Sequence, residues 1–223
     1  MVQKTAHDAS KTFSPRRGRP RAFEPETALT QAMDVFWKDG FAATSLDDVS
    51  AATGLNRPSL YGAFGDKRAL YLKALDHYVE GSIAGRIRRC EAQAPRAAIR
   101  SFFAEIVKRS LGDGDHKGCM LVNAALEVVV PQDPDLAGIV AGVLLRIEAF
   151  FRNCVAAGQA DGTITGALPA EDLARHLLGV LMGVRVLVRV RPERKLLEGV
   201  VAPALALLDR PDDRSVTGER APS

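Results

Sequence analysis

Apolar residues recur at helical spacing along nearly the whole chain. From Pro25, the positions Ala28, Leu29, Ala32, Met33, Phe36 and Trp37 form one stripe, and Gly40 ends it. Leu46 and Val49 begin a second, shorter pattern, which Gly54 interrupts; Leu55, Leu60, Ala63 and Phe64 supply the inner face of a third. Thr44 or Ser45 is placed to cap the second helix, with Asp47 and Asp48 in its positive first turn. Gly54 accepts the positive φ of a sharp helix-to-helix turn, Asn56 suits the next N-cap, and Pro58 sits early enough to cost no hydrogen bond. Two short helices about such a turn form a helix-turn-helix unit, whose second helix enters the DNA major groove.

Gly65 and Asp66 open a long helix running to about Cys90, with Leu70, Ala74, Leu75 and Tyr78 on its inner stripe. Punctuation at Pro95, Gly112, Pro131, Pro134, Gly162, Pro169 and Pro192 divides the rest into helices over roughly 95–111, 118–130, 134–159, 169–190 and 192–208. The β-branched run at 128–130 is too short for a strand. The fold class is therefore all-α, about nine helices. The expected organisation is a flexible basic arm (1–24), a helix-turn-helix domain (25–66), a helical domain (67–208) and a polar, disordered tail (209–223).

Composition agrees: in 223 residues, 47% are hydrophobic and only 6% aromatic. The net charge of +3 does not by itself imply nucleic acid, but its distribution does, because Arg16, Arg17, Arg19 and Arg21 cluster without an acid among them. Three widely spaced cysteines, Cys90, Cys119 and Cys154, argue against a disulfide framework and a zinc site, so neither metal nor cofactor is expected. The N-terminal segment has no apolar stretch of signal-peptide type, and no run approaches a membrane span. A cytoplasmic protein is expected. No nucleophile–base set, phosphate loop or carboxylate pair points to an enzyme.

The segment TSLDDVSAATGLNRPSLYGAFGDKRALY, behind an apolar first helix, resembles the TetR family of bacterial transcriptional repressors over about residues 24–78. Ser50 and Thr53 stand where small alanines are usual in that family. The resemblance implies an N-terminal three-helix DNA-binding domain and assigns ligand binding and dimerisation to the helical domain 67–208, which would bind an effector. It further implies a homodimer formed through the last two helices, reading two half-sites of a palindromic operator. The bases would be read by Arg57, Pro58, Ser59 and Gly62 on the outer side of the recognition helix, Arg57 foremost because arginine forks onto guanine. Tyr61, Lys67 and Thr44 match positions that hold phosphates. The arm's Arg-Gly-Arg-Pro resembles an AT-hook for the minor groove; the plainer reading is a tail raising non-specific affinity. A ligandless architectural DNA-binding protein using that arm is the alternative to an effector-released repressor.

For the effector pocket, the apolar candidates are Phe102, Phe103, Met120, Phe150, Phe151 and Met182. The polar ones within apolar patterns are Asn123, Glu127, His176 and Arg185. Cys119 joins them, at a helix start beside His116 and Lys117, where a thiolate would be favoured.

Overall fold

The computed structural model describes residues 24–127 and 133–210, entirely helical apart from turns, with no strand among them. The basic arm, the 128–130 run and most of the C-terminal tail lie outside the described residues. Helix α1 (Pro25–Ala43) begins on its proline and is broken inside by Gly40, at φ 82° and ψ 170°. Helix α2 (Leu46–Thr53) starts at a capping box: Ser45 accepts from the Asp48 N–H, and the Asp48 carboxylate accepts from the Ser45 N–H at 2.7 Å. Gly54 then takes φ 68°. In helix α3 (Arg57–Phe64), the Asn56 side chain accepts from the Ser59 N–H at 2.9 Å.

The two departures from alanine staple this turn. The Ser50 hydroxyl donates to the Leu55 carbonyl, and the Thr53 hydroxyl accepts from the Leu55 N–H while donating to the Val49 carbonyl. Gly54 is thus bracketed by side-chain bonds to groups that the helix ends would leave unpaired.

Helix α4 (Lys67–Tyr78), capped by Asp66, runs into a π-helical segment (Val79–Ala84) and then α5 (Gly85–Glu91). The expected long helix exists, with a wider turn inside it. Its first half closes the DNA-binding bundle: Tyr71 packs edge-on to Phe36 at 5.2 Å, and Tyr78 against Trp37 at 4.9 Å. Ala32, Phe36, Val49 and Leu60 are fully buried there.

Helices α6 (Pro95–Gly112), α7 (Met120–Leu126), α8 (Pro134–Ala160), α9 (Ala170–Val190) and α10 (Arg194–Ala206) make the second body. With α4, the π segment and α5 counted as one rod, the described residues hold nine rods. Phe102, Phe103, Phe150 and Phe151 form its aromatic centre, where Phe103 and Phe151 stack at 5.6 Å. The bodies are tied by the Arg68 fork on α4, which donates to Asp133 at 2.7 Å twice and to Asp135 at 2.8 Å.

Candidate nucleic-acid interface and regulatory cavity

Helix α3 buries Leu60 and Phe64 and leaves Arg57, Pro58, Tyr61 and Gly62 exposed, with Ser59 half-buried. One exposed face therefore holds a cation, a phenol and a bare backbone position. The Arg57 guanidinium lies on Asp47 of α2, with Nε donating to Oδ1 at 2.7 Å and Nη2 to Oδ2 at 2.5 Å. This hydrogen bond raises the Arg57 pKa and lowers that of Asp47. Both aspartates lie in the first turn of α2, and Asp48 makes the capping box. Asp47, which the sequence accounts for in the same way, instead holds the first side chain of the recognition helix.

Lys67 is half-buried, its ammonium 4.5 Å from the centre of the Phe41 ring. Thr44 corrects an expectation. It is 2% exposed, and its hydroxyl donates to the Gly40 carbonyl at 2.7 Å. The Thr44 N–H donates to the same carbonyl at 3.3 Å, so both of its donors turn inward to Gly40 rather than toward a phosphate.

In the second body the polar candidates separate. His176 is exposed on α9, because Leu173, Leu177, Leu181, Val184 and Val188 take the inner face. Glu127 has a structural bond as well: both its carboxylate oxygens accept from the Phe41 N–H, at 3.1 and 3.2 Å. The carboxylate occupies the notch at Gly40, where an added Cβ would sit 2.6 Å from Oε1. Asn123 donates to the Lys117 carbonyl at 3.0 Å and lines, with Glu127 and Arg185, a cleft of ≈ 410 Å³.

Phe150 and Phe151 are core, ringed by each other and by Phe102 at 5.1–5.4 Å, and line none of the cavities described here. Phe103 also stacks in that core, while forming one wall of an outer groove of ≈ 580 Å³ between α6 and α10. Phe102, Cys119 and Met182 line a slit of ≈ 10 Å³ with Arg86 and Arg185; Met120 is buried beside it, 1% exposed. Cys119 is the N-cap of α7 and 4% exposed, its sulfur 3.5 Å from the Tyr78 hydroxyl. The neighbouring cation is spent elsewhere: the Lys117 ammonium faces the Trp37 ring at 4.6 Å and Asp34 at 3.6 Å.

Arg86 is the residue that sequence reasoning missed. Its one signal was charge on an otherwise inner helical face. It is 2% exposed, and its Nε and the nearby Trp37 Nε1 and Ser110 Oγ have no hydrogen-bond partner among the described residues. Among the described residues, no three His, Cys, Asp or Glu side chains gather closely enough to hold a metal, and no helix is long and apolar enough to cross a membrane.

Two family models match the chain: the bacterial regulatory proteins of the tetR family over residues 28–74, and the tetracyclin repressor-like C-terminal domain over 95–202. The chain is 31% identical over 194 residues to the HTH-type transcriptional regulator YezE of Bacillus subtilis, covering 86% of this chain and 100% of that one. It is 29% identical to the HTH-type transcriptional repressor ComR of Escherichia coli over 82% of this chain and 88% of the relative. Among solved structures it is similar to a cysteine mutant of the TetR family regulator CifR, complexed with 26bp double-strand operator DNA. There the TM-score is 0.76 and the identity 34%, over 84% of this chain and 98% of the other. A TetR regulator from Chloroflexus aurantiacus gives a TM-score of 0.73 at 26% identity, over 82% and 92% of the two chains. The chain belongs to the TetR family of bacterial transcriptional regulators.

Proposed function

We propose that this regulator is a homodimeric repressor that reads a palindromic operator and is released from it by a small-molecule effector. The observation that carries the reading is the exposed face of α3, presented by a turn that Ser50, Thr53 and Gly54 hold rigid. On this reading Arg57 exchanges its fork on Asp47 for the O6 and N7 acceptors of a guanine, and Pro58, Ser59 and Gly62 pack against neighbouring base edges. Tyr61 and Lys67 hold phosphates, which set register without specifying sequence. The arginines of the arm add minor-groove contacts.

Dimerisation through α9 and α10 is supported by the apolar surface left on them. Val186 and Val190 are exposed, and Val180 and Leu187 are half-buried. Gly179 and Gly183 on the same helix have open space where a side chain would stand, so a second helix can approach closely. Two recognition helices then meet two half-sites one helical turn apart. The site of action is the nucleoid in the bacterial cytoplasm, and no catalytic role is assigned.

The test is binding of the full-length protein to the DNA flanking its own gene, against random DNA, at one fixed near-physiological salt concentration. A large specificity ratio is expected, and Arg57→Ala should weaken specific binding by about 1–3 kcal/mol while leaving the random duplex nearly unaffected. Equal affinity for both duplexes, falling steeply with salt, would replace this reading with an architectural role dominated by the arm.

A further inference from the structure

Beyond the DNA face, the described residues hold a pair of buried arginines with little local compensation. Arg86 on α5 is 2% exposed and Arg185 on α9 is 7% exposed. Both line two adjoining chambers. One, of ≈ 50 Å³, is walled by Trp37, Tyr78, Ser82 and Ser110 among others. The second is the ≈ 10 Å³ slit against Phe102, Leu181 and Met182.

Among the described residues this pair is only weakly compensated. Arg86 has one approach to a carboxylate, Nε to Glu105 Oε1 at 3.5 Å, and makes no hydrogen bond among the described residues. The same Glu105 oxygen already serves Arg89 at 2.6 Å and Arg109 at 3.2 Å. No ion pair of Arg185 occurs among the described residues. The carboxylate on the chamber wall, Asp113, is engaged by the backbone N–H groups of Lys117 at 2.8 Å and Asp115 at 3.3 Å. Burial, and then repulsion by Arg185, lower Arg86 to about 10, so it remains cationic at neutral pH.

Three buried donors at the chamber also lack acceptors among the described residues. The Trp37 indole N–H, the Ser110 hydroxyl and the Arg86 Nε are buried and have no hydrogen-bond partner among the described residues. A chamber walled by the guanidiniums of Arg86, Arg109 and Arg185, an indole N–H and a hydroxyl, with Asp113 as the carboxylate on its wall, holds cations and donors in excess and suits a further planar anion. The Phe102 ring, 5.5 Å from the Arg86 guanidinium, begins the apolar slit, which the flexible Met182 can widen.

We propose that Arg86 and Arg185 form the binding site for the carboxylate of a small organic acid, whose apolar body enters the slit between Phe102 and Met182. The proposal deepens the effector reading above and rests on it only for the consequence at DNA. Two features connect the site to that consequence. Trp37 belongs to α1, three residues before the Gly40 break that leads into the helix-turn-helix. The π-helical segment, Val79–Ala84, carries Ser82 and Ile83 onto the chamber walls, between Tyr78 and Arg86. A carboxylate drawing on the indole N–H and both arginines therefore bears on the joint between the two bodies, and it shifts the DNA equilibrium only if it favours one arrangement of that joint.

Trp37 is the only tryptophan of the chain and reports on the site directly. The full-length protein, free of DNA, is titrated with benzoate and with butyrate, with benzamide as the uncharged match and sulfate as the inorganic anion, following tryptophan emission. A saturable change is expected with a carboxylate, about tenfold or more weaker with benzamide and with sulfate. Arg185→Met should abolish it while raising the melting temperature of the free protein, since an unpaired buried charge is removed. Arg86→Met makes the same test independently. The proposal is overturned by no saturable response to either carboxylate, by benzamide or sulfate binding as tightly, or by arginine variants that bind unchanged or melt lower. Release of the flanking-DNA duplex is measured separately. Carboxylate binding without release keeps the site and removes its role in derepression, whereas release by another compound with no carboxylate binding does the reverse.

Discussion

Gly54 turns at φ 68°, and a methyl group added there would meet nothing within 4 Å. Its replacement is therefore a pure backbone test. Gly54→Ala should destabilise the protein by about 1 kcal/mol in urea denaturation, through the left-handed strain alone. The same scale separates residues that sequence could assign from those it could not. Gly54, Asn56 and Asp66 act on backbone groups two or three positions away, so their roles are written in local order. Thr44 is equally local in its bond to Gly40, yet its burial depends on how α1 breaks. His176 lies within an apolar pattern, but α9 has more apolar positions than one inner face can take, and His176 falls on the other side.

At the level of elements, the carboxyl end of α1 is the point where the regulatory body touches the reading head. Gly40 breaks the helix, the freed Phe41 N–H is accepted by both oxygens of Glu127 at the end of α7, and the partners are 86 residues apart in sequence. A half-buried N–H bonded to a charged acceptor is costly to orphan. Glu127→Ala should therefore lower stability by about 1–3 kcal/mol in urea denaturation. A change of less than about 0.5 kcal/mol would mean that water replaces the carboxylate there. Sequence spacing located α6, α8 and α9 closely because proline or glycine marks their ends. It did not expose the π segment, since Val79–Ala84 has an ordinary helical composition and only packing widens the turn.

Across the whole molecule, the Arg68 fork on Asp133 and Asp135 joins the DNA-binding bundle to the start of α8. Hydrogen bonds from Arg68, then from the Leu136 N–H, hold Asp133 at about 2. An unfolded aspartate titrates near ~3.9, so the folded chain binds this proton less readily than the unfolded one. The contribution of Asp133 is thus fully present above about pH 4 and is lost as the pH falls through 4 toward 2. Melting temperature followed against pH should show a shallower acid limb for Asp133→Asn than for the parent chain. Identical slopes would remove Asp133 from the acid response.

The sequence by itself determined the all-helical class, the helix-turn-helix with its caps and turn, and the family. Each of these is encoded in periodicity and punctuation over a few residues. Only the tertiary structure decided that Arg57 rests on Asp47, that Glu127 closes the α1 break, and that Arg86 and Arg185 line one chamber at the joint between the two bodies. Arg86 and Arg185 are 99 positions apart, and a charged residue on a helix reads as surface until packing encloses it. Pairing of distant side chains depends on how helices pack together in three dimensions, which the linear pattern of apolar positions leaves open.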